Sequence, residues 1–313
     1  MSNLVAFFYK KPVLLQADAH RDLCFSPTGT VEFAQGQIVV PLVLAEFGDA
    51  CLEYPIVFAK SEDGQWMATA LTGMRPGENV FVTPERKWDG RYVPAALRRY
   101  PFVLAKTGED QYSVAADLDA PHFSEKVGDR IFNDDGTPAA FMQDMLALLQ
   151  EFQNQADRTA KLLAQLEEHD LLEQTPVRLQ TDSGQTVDLG SVWVVNEQKL
   201  LKAPESFLLA TIQSGELGLL FAHLISLKKF ADLLNKAETA AQSDPHSPQA
   251  AKATKATKAT KAAKTKVAQS EKLPARVAKK SSPTSKPASK KPVIAKRAAA
   301  KKPSATKSRK GKS

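Results

Sequence analysis

The chain has 313 residues, with 42 Lys or Arg against 35 Asp or Glu and a net charge of +7 at pH 7. Residues 241–313 hold 21 of the basic residues and only two acids, so this tail carries +19 and the first 240 residues carry −12. Every Trp, Tyr and Phe lies in the first 240 residues. This composition excludes a hydrophobic core in the tail and predicts a folded domain over 1–238 and a disordered basic tail over 239–313.

The sequence predicts no segment that crosses a membrane. The longest apolar run, Leu217 to Leu227, is closed by two lysines and is shorter than the roughly 18 residues that a span requires. In the first 12 residues the positive charges follow the apolar stretch, unlike in a secretory signal, and we predict an edge strand there. Cys24 and Cys51 form no CxxC pair, which indicates structural thiols in a reduced, cytoplasmic protein, with a disulfide as the alternative.

An internal repeat marks the front of the chain. Tyr54-Pro-Ile-Val-Phe-Ala-Lys60 recurs as Tyr100-Pro-Phe-Val-Leu-Ala-Lys106, and each copy continues through a polar turn, a Gln-aromatic pair and an apolar return segment. Apolar runs around such a turn predict β-hairpins. Val-Pro openings upstream precede short helix-compatible stretches, 42–53 and 95–99. We therefore predict an α+β fold with one mostly antiparallel sheet built on a duplicated helix-and-hairpin unit; two independent strand starts are the alternative.

A long helix is predicted from Thr137 to about Leu172. Its apolar residues follow the three-and-four spacing of a single seam, which either packs on the chain's own sheet or joins a second copy in a homodimer through helix 139–172. The preceding turn, 133–136, lacks the acids that an EF-hand requires at both ends of its loop, and a solvated turn is expected. The seam residues are Met142, Met145, Leu149, Phe152, Ala156, Thr159, Leu163 and Leu166.

The rest of the folded part is predicted to contain a hairpin, a further strand and helices. The hairpin covers 177–189 and the strand 192–195. Asn196 is placed to cap a helix over 197–202, Pro204 opens another over 205–213, and 217–234 reads as one buried helix.

Several short segments together resemble the bacterial SapC family over nearly all of residues 1–238. They are Val40-Pro-Leu42 with Glu53 to Phe58, Gly73 with Arg75 to Phe81, Tyr92-Val-Pro94 with Arg98 to Val103, Ile131 to Gly136, Val194 to Glu197, and Ala222 to Leu227. The family takes its name from a bacterial surface-array locus, so the resemblance implies a link to cell-surface or uptake systems. It brings no catalytic residues, and the family pattern ends before the basic tail.

No catalytic, cofactor or metal residue is predicted. The five histidines have no metal-ligand spacing, and there is no GxSxG or phosphate-binding glycine loop. His223, within an apolar helix, is expected to be a hydrogen-bonded core residue. Arg75, Trp88, Arg98 and Arg99 form a candidate anion or peptide pocket, because guanidinium groups and aromatic faces suit such ligands; turn geometry and surface pairing are the alternative reading.

The tail is predicted to bind nucleic acid. It repeats Ala-Thr-Lys at 253–261, contains several Lys-Pro pairs and resembles the tails of linker histones. Lysines without aromatic rings favour salt-sensitive, sequence-blind phosphate contacts. A solubilising spacer, other polyanions and the chain's own acidic part remain alternatives. The predicted binding residues are Lys252, Lys255, Lys258, Lys261, Lys264, Lys266, Lys279, Lys280, Lys290, Lys291, Lys296, Arg297, Lys301, Lys302, Lys307, Arg309 and Lys310.

These features predict a non-enzymatic binding or adaptor protein, associated with the nucleoid in the cytoplasm, with an unknown protein partner. Two alternatives belong to other classes. One is a cell-surface or S-layer-associated structural protein whose tail binds anionic envelope polymers, and the other is an enzyme whose active site assembles from distant residues.

Overall fold

The structure, a computed structural model, describes residues 8–61, 64–108, 111–181, 184 and 186–243. The strands, in chain order, are β1 (Pro12–Leu14), β2 (Cys24–Phe25), β3 (Val39–Leu42), β4 (Ile56–Lys60), β5 (Trp66–Leu71), β6 (Phe102–Lys106), β7 (Tyr112–Asp117), β8 (Phe123–Ser124), β9 (Asp129–Arg130), β10 (Leu172–Gln180) and β11 (Thr186–Val195). The helices are α1 (Ala17–His20), α2 (Phe47–Ala50), α3 (Ala95–Arg98), α4 (Ala140–Glu168), α5 (Glu197–Leu200), α6 (Glu205–Gln213), α7 (Glu216–Ser226) and α8 (Lys229–Ser243).

The strands form three antiparallel sheets, and the predicted α+β class is confirmed. The largest sheet has the order β10-β11-β4-β5-β3, and the two smaller ones have the orders β1-β7-β6 and β8-β2-β9. An edge strand, β1, does lie beside β7, but it begins only at Pro12, and residues 8–11 of the strand predicted over the first 12 residues form no strand. Residues 1–7 lie outside the described part of the chain.

The duplicated unit is confirmed, because both hairpins share one register. In the first copy, residues 54–71, Ile56 pairs with Ala70; in the second copy, residues 100–117, Phe102 pairs with Ala116, 46 positions later in each strand. Their backbones also share the bond across the hairpin base, from Leu71 N to Pro55 O at 2.9 Å and from Asp117 N to Pro101 O at 3.1 Å.

The two copies lie in different sheets, and the expectation of a single sheet is wrong. The first hairpin acquires β3 and β11 as neighbours, whereas the second acquires only β1. These added strands come from segments far from the repeat in sequence, so the repeat itself does not determine which sheet each copy joins.

Helix α4 is a core helix. Met142, Leu149, Phe152, Leu163 and Leu166 along the predicted seam are all less than 5% exposed and pack on the chain's own sheets. A second copy that used this helix would have to contact its other faces, so the homodimer stays a prediction. The helix ends at Glu168 rather than near Leu172, because Asp170 has a left-handed backbone (φ 54°) and Leu171 N closes the end on Leu166 O.

The C-terminal helices differ from the prediction in one place. Asn196 caps α5 by accepting Lys199 N at 2.9 Å, and Pro204 precedes α6, as expected. The single helix predicted over 217–234 is two helices, since tight turn bonds such as Lys228 N to Ile225 O interrupt it. Helix α8 also continues past residue 238 to Ser243, with its Ala241 side chain buried.

No single helix among the described residues is long and apolar enough to cross a membrane. Helices α6 and α7 satisfy that criterion only as a pair, and the chain bends by 93° between them.

Candidate functional site

The loop that contains Trp88 is held against the first copy by two adjacent residues. The Glu53 carboxylate accepts the backbone N–H of Arg91 at 2.6 and 2.9 Å and that of Tyr92 at 3.4 Å. The Tyr54 hydroxyl donates to the carbonyl oxygen of Tyr92 at 2.5 Å. The Trp88 indole N–H lies 3.1 Å from both that carbonyl oxygen and the Tyr54 hydroxyl oxygen. Backbone and ring positions in this loop are therefore fixed from one side.

A second carboxylate fixes the end of the same loop. Glu46 is 4% exposed, and it accepts hydrogen bonds from the Tyr92 hydroxyl at 2.8 Å, from Ala95 N at 2.7 Å and from Val43 N at 2.9 Å. Burial raises the pKa of Glu46, and these three hydrogen bonds oppose that rise. The carboxylate thus satisfies backbone N–H groups in two segments, one just before α2 and one at the start of α3. These hydrogen bonds explain why an acid is buried here.

Gly90 is the position where this loop approaches the first copy most closely. A Cβ atom there would lie 2.6 Å from the Tyr54 hydroxyl oxygen, 2.8 Å from Glu53 Oε2 and 2.8 Å from Trp88 Nε1. Only glycine fits without displacing the groups that hold the loop.

An open cleft of about 480 Å³ lies beside this loop. The Phe81 and Trp88 rings stack on one another along it, with centroids 5.6 Å apart. Both cationic and acidic side chains line the cleft around these rings. Leu52 adds an apolar side chain that is 65% exposed. The lining residues are Leu52, Glu53, Phe81, Trp88, Asp89, Gly90, Arg91, Lys229, Asp232, Leu233 and Lys236.

Helix α8 forms the opposite wall of the cleft. Lys229, Asp232, Leu233 and Lys236 recur at helical spacing and so share one face. The Lys236 ammonium pairs with Asp89 and lies 4.8 Å from the centre of the Phe81 ring, while Lys229 pairs with Asp232 at 2.9 Å. Both lysines are therefore already neutralised. Such a cleft, aromatic inside and bipolar at its rim, suits a peptide segment carrying both charges better than a simple anion.

The four residues of the predicted pocket are not gathered in one cavity. Trp88 lines the cleft, but Arg75 is exposed and lies 4.0 Å from Glu78. Arg98 is exposed too, and its Nε donates to Val93 O at 3.1 Å. Neither of these two arginines lines the cleft.

Arg99 is buried rather than presented to a ligand. Its side chain is 4% exposed, and its guanidinium carbon lies 4.2 Å from the centre of the Phe152 ring. Nε and Nη2 have no hydrogen-bond partner, and burial lowers the pKa of the group. The surface-pairing alternative therefore describes Arg75, whereas Arg99 belongs to the core.

The sequence missed most of the cleft. Glu53 and Phe81 stood in segments that resemble the family, but no local pattern linked them to Lys229 or Lys236 in α8. Their association depends on how α8 folds back onto the Trp88 loop, a contact between residues more than 140 positions apart.

His223 and the two cysteines lie in the interior of the domain. His223 is fully buried, its Nδ1 lies 3.0 Å from Ile56 O and its Nε2 accepts Val195 N at 3.1 Å, as expected of a core histidine. Burial lowers its pKa to about 4. Both cysteines are unpaired and buried, and within the described ranges no group of His, Cys, Asp and Glu could hold a metal ion. The predicted tail-binding residues, Lys252 to Lys310, lie outside the described residues.

Comparison with known proteins gives one match. The model of the SapC family matches residues 15–233, which include the repeat, every lining residue of the cleft except Lys236, and most of the helices. No curated protein matches the chain. No solved structure matches it either. The family match covers well over half of the chain, and the protein belongs to the SapC family.

Proposed function

We propose that this SapC-family protein is a non-enzymatic adaptor whose tail binds nucleic acid and whose folded domain binds a protein partner in the Trp88 cleft. The observation that carries the first part is the charge of residues 241–313, with 21 cations against two acids and no Phe, Tyr or Trp. Such a chain neutralises phosphates and releases counterions without reading bases. Binding of this kind supports a location at the nucleoid in the cytoplasm as part of the proposal.

The cleft supports the second part of the proposal. Its stacked rings and the exposed Leu52 offer apolar contact area, and its rim holds both signs of charge in fixed pairs. The Trp88 loop is held by hydrogen bonds to Glu53 and packs closely at Gly90. Little conformational entropy of this loop is therefore lost when a ligand binds. A flexible peptide segment of a partner protein fits such a preorganised, open surface.

The acidic first part of the chain is expected to compete with nucleic acid for the basic tail. With −12 on residues 1–240 and +19 on the tail, the two parts attract each other at low salt. Nucleic acid competes with that attraction, and added salt weakens both interactions because their charges are screened.

DNA retention of the full chain and of a chain ending at Ser243 tests the tail. We expect the shortened chain to lose retention, and the affinity of the full chain to fall by about 10³-fold or more between 50 and 200 mM salt. The matched control carries the tail residues in shuffled order and should bind like the natural chain. Equal retention of the shortened chain would refute the tail as the binder.

The family's link to surface arrays supplies the second candidate, a structural protein whose tail binds an anionic envelope polymer. Fractionation of cells that express a tagged full chain separates the two. Recovery with DNA in the cytoplasmic fraction supports the adaptor, whereas recovery with the envelope favours the structural protein.

A further inference from the structure

Helix α7 buries the polar side chains of His223 and Ser226 together with Leu220, and it leaves apolar side chains on the opposite side of the helix. His223 and Ser226 are fully buried, and Ser226 Oγ accepts Ile56 N at 2.9 Å on the inner side. Leu217, Phe221 and Ile225 lie on the opposite side of the helix, at a spacing of four residues. An ordinary amphipathic helix of a globular domain has the reverse arrangement. The outer face of α7 therefore lacks polar groups to interact with water.

Helix α6 and its flanks extend this apolar surface. Leu209 is 53% exposed, Ile212 58%, Ile225 56%, and Leu201, just before α6, 59%. No charged residue occurs from Ser206 to Gly215 or from Leu217 to Leu227. Isolated exposed leucines are ordinary, but this many large apolar side chains on one helical pair mark an interaction surface.

Lysines stand at both ends of the helical pair. Lys199 and Lys202 precede α6, and Lys228 and Lys229 follow α7. Lys202 and Lys228 are exposed and have no ion pair within the described part of the chain. An apolar helix face bordered by lysines is the arrangement that lies in the interface of a bilayer with negatively charged lipids.

We propose that the α6–α7 pair docks on the surface of an anionic phospholipid membrane, with its outer apolar side chains in the interface and Lys202 and Lys228 at the lipid phosphates. The 93° bend and the inward anchoring of His223 and Ser226 fit a pair that lies on a membrane rather than spanning it. A second copy would place the same unpaired lysines, Lys202 and Lys228, against one another. Charge complementarity thus favours the lipid surface over a dimer.

The test uses the full chain with vesicles of phosphatidylcholine alone or mixed with phosphatidylglycerol, part of the lipid being brominated. The probe is Ile225→Trp, and the matched control is Val127→Trp, at an apolar position that is 68% exposed on another loop. With anionic vesicles we expect a blue shift and bromine quenching of the added fluorescence in Ile225→Trp only. Ile212→Ser with Leu209→Ser should weaken vesicle binding about tenfold for each side chain.

The tail alone can bring the chain to anionic vesicles, and the probe separates that contact from docking. Vesicle binding without quenching at Ile225→Trp, or with equal quenching at Val127→Trp, would overturn the proposal. So would a concentration-dependent dimer that Ile212→Ser with Leu209→Ser converts to a monomer, because the face would then be covered by a second copy. None of these results bears on DNA retention by the tail.

Discussion

The two copies of the repeat have the same hairpin register and differ in the segments that pack against them. The carbonyl oxygen of Ile56 in the first copy lies 3.0 Å from His223 Nδ1, and the equivalent oxygen of Phe102 in the second accepts the Tyr9 hydroxyl at 2.7 Å. The same backbone group is thus satisfied from the C-terminal helices in one copy and from the N-terminal segment in the other. The repeat specifies strand register, and distant segments specify environment.

The divergence reaches function at the residues before each hairpin. Glu53 lines the open cleft and holds the Trp88 loop, whereas Arg99, at the same place in the second copy, is buried. The residue before the hairpin therefore belongs to a surface cleft in the first copy and to the core in the second.

Truncating the aromatic residue at the hairpin tip should separate the copies most strongly. Trp66 is buried, contacts Trp193 edge-on and donates to Glu167 Oε2 at 2.7 Å, while its counterpart Tyr112 is 45% exposed. We expect Trp66→Ala to lower the free energy of unfolding by about 3–5 kcal/mol and Tyr112→Ala by under about 1 kcal/mol. Urea unfolding measures both, and similar losses would contradict the difference between the copies.

Acid should weaken the first copy through His223. Burial lowers its pKa from 6.5 to about 4, so the unfolded chain binds the proton more tightly between these values and stability falls as pH drops through that window. We expect the folded state to lose roughly 2–3 kcal/mol between pH 7 and 4 from this group. The difference in unfolding free energy between the natural chain and His223→Asn, measured at both pH values, isolates the effect from other titrating acids.

The second copy provides the contrast for that titration. Burial raises the pKa of Tyr9 to about 12, so its bond to Phe102 O persists throughout the acid range. Tyr9→Phe should therefore shift stability by the same amount at pH 7 and pH 4. A pH-dependent difference would show that the two carbonyl contacts are not separate.

A methyl group at Gly90 should have a smaller effect on stability than truncation of Trp66. The added carbon collides with Trp88 of the same loop and with Glu53 and Tyr54, which hold the loop in place. We expect Gly90→Ala to lower the free energy of unfolding by about 1–3 kcal/mol. Gly48→Ala is the control, because that position in α2 has open space around it and alanine favours a helix. Thermal unfolding should separate them, and an unchanged Gly90 variant would mean that the loop is not clamped.

Local signals predicted much of the fold. The repeated heptapeptide gave both hairpins, the apolar spacing of 142–166 gave α4 as a core helix, and Asn196 and Pro204 marked helix starts. The division into separate sheets was not predictable, because it depends on β1, β3 and β11. The exposed apolar side of α7 also escaped prediction, since its many leucines suggested burial on all sides, yet two polar side chains hold the helix to β4 and β11.

The candidate site was predicted only at Trp88. Arginines were grouped because their chemistry suited an anion, but chemistry carries no information on distance, and Arg75, Arg98 and Arg99 lie in different surroundings. The other wall of the cleft comes from α8, and such a long-range contact leaves no spacing in the sequence.

Crosslinked recovery from cells tests the two-part account most directly. It compares the full chain, a chain ending at Ser243, Leu52→Asp with Arg91→Glu in the cleft, and Val127→Asp as the surface control. The account predicts that the shortened chain loses nucleic acid and keeps its protein partner, while the cleft variant loses the partner and keeps nucleic acid. Loss of both ligands in either variant, or nucleic acid still bound to the shortened chain, would contradict it.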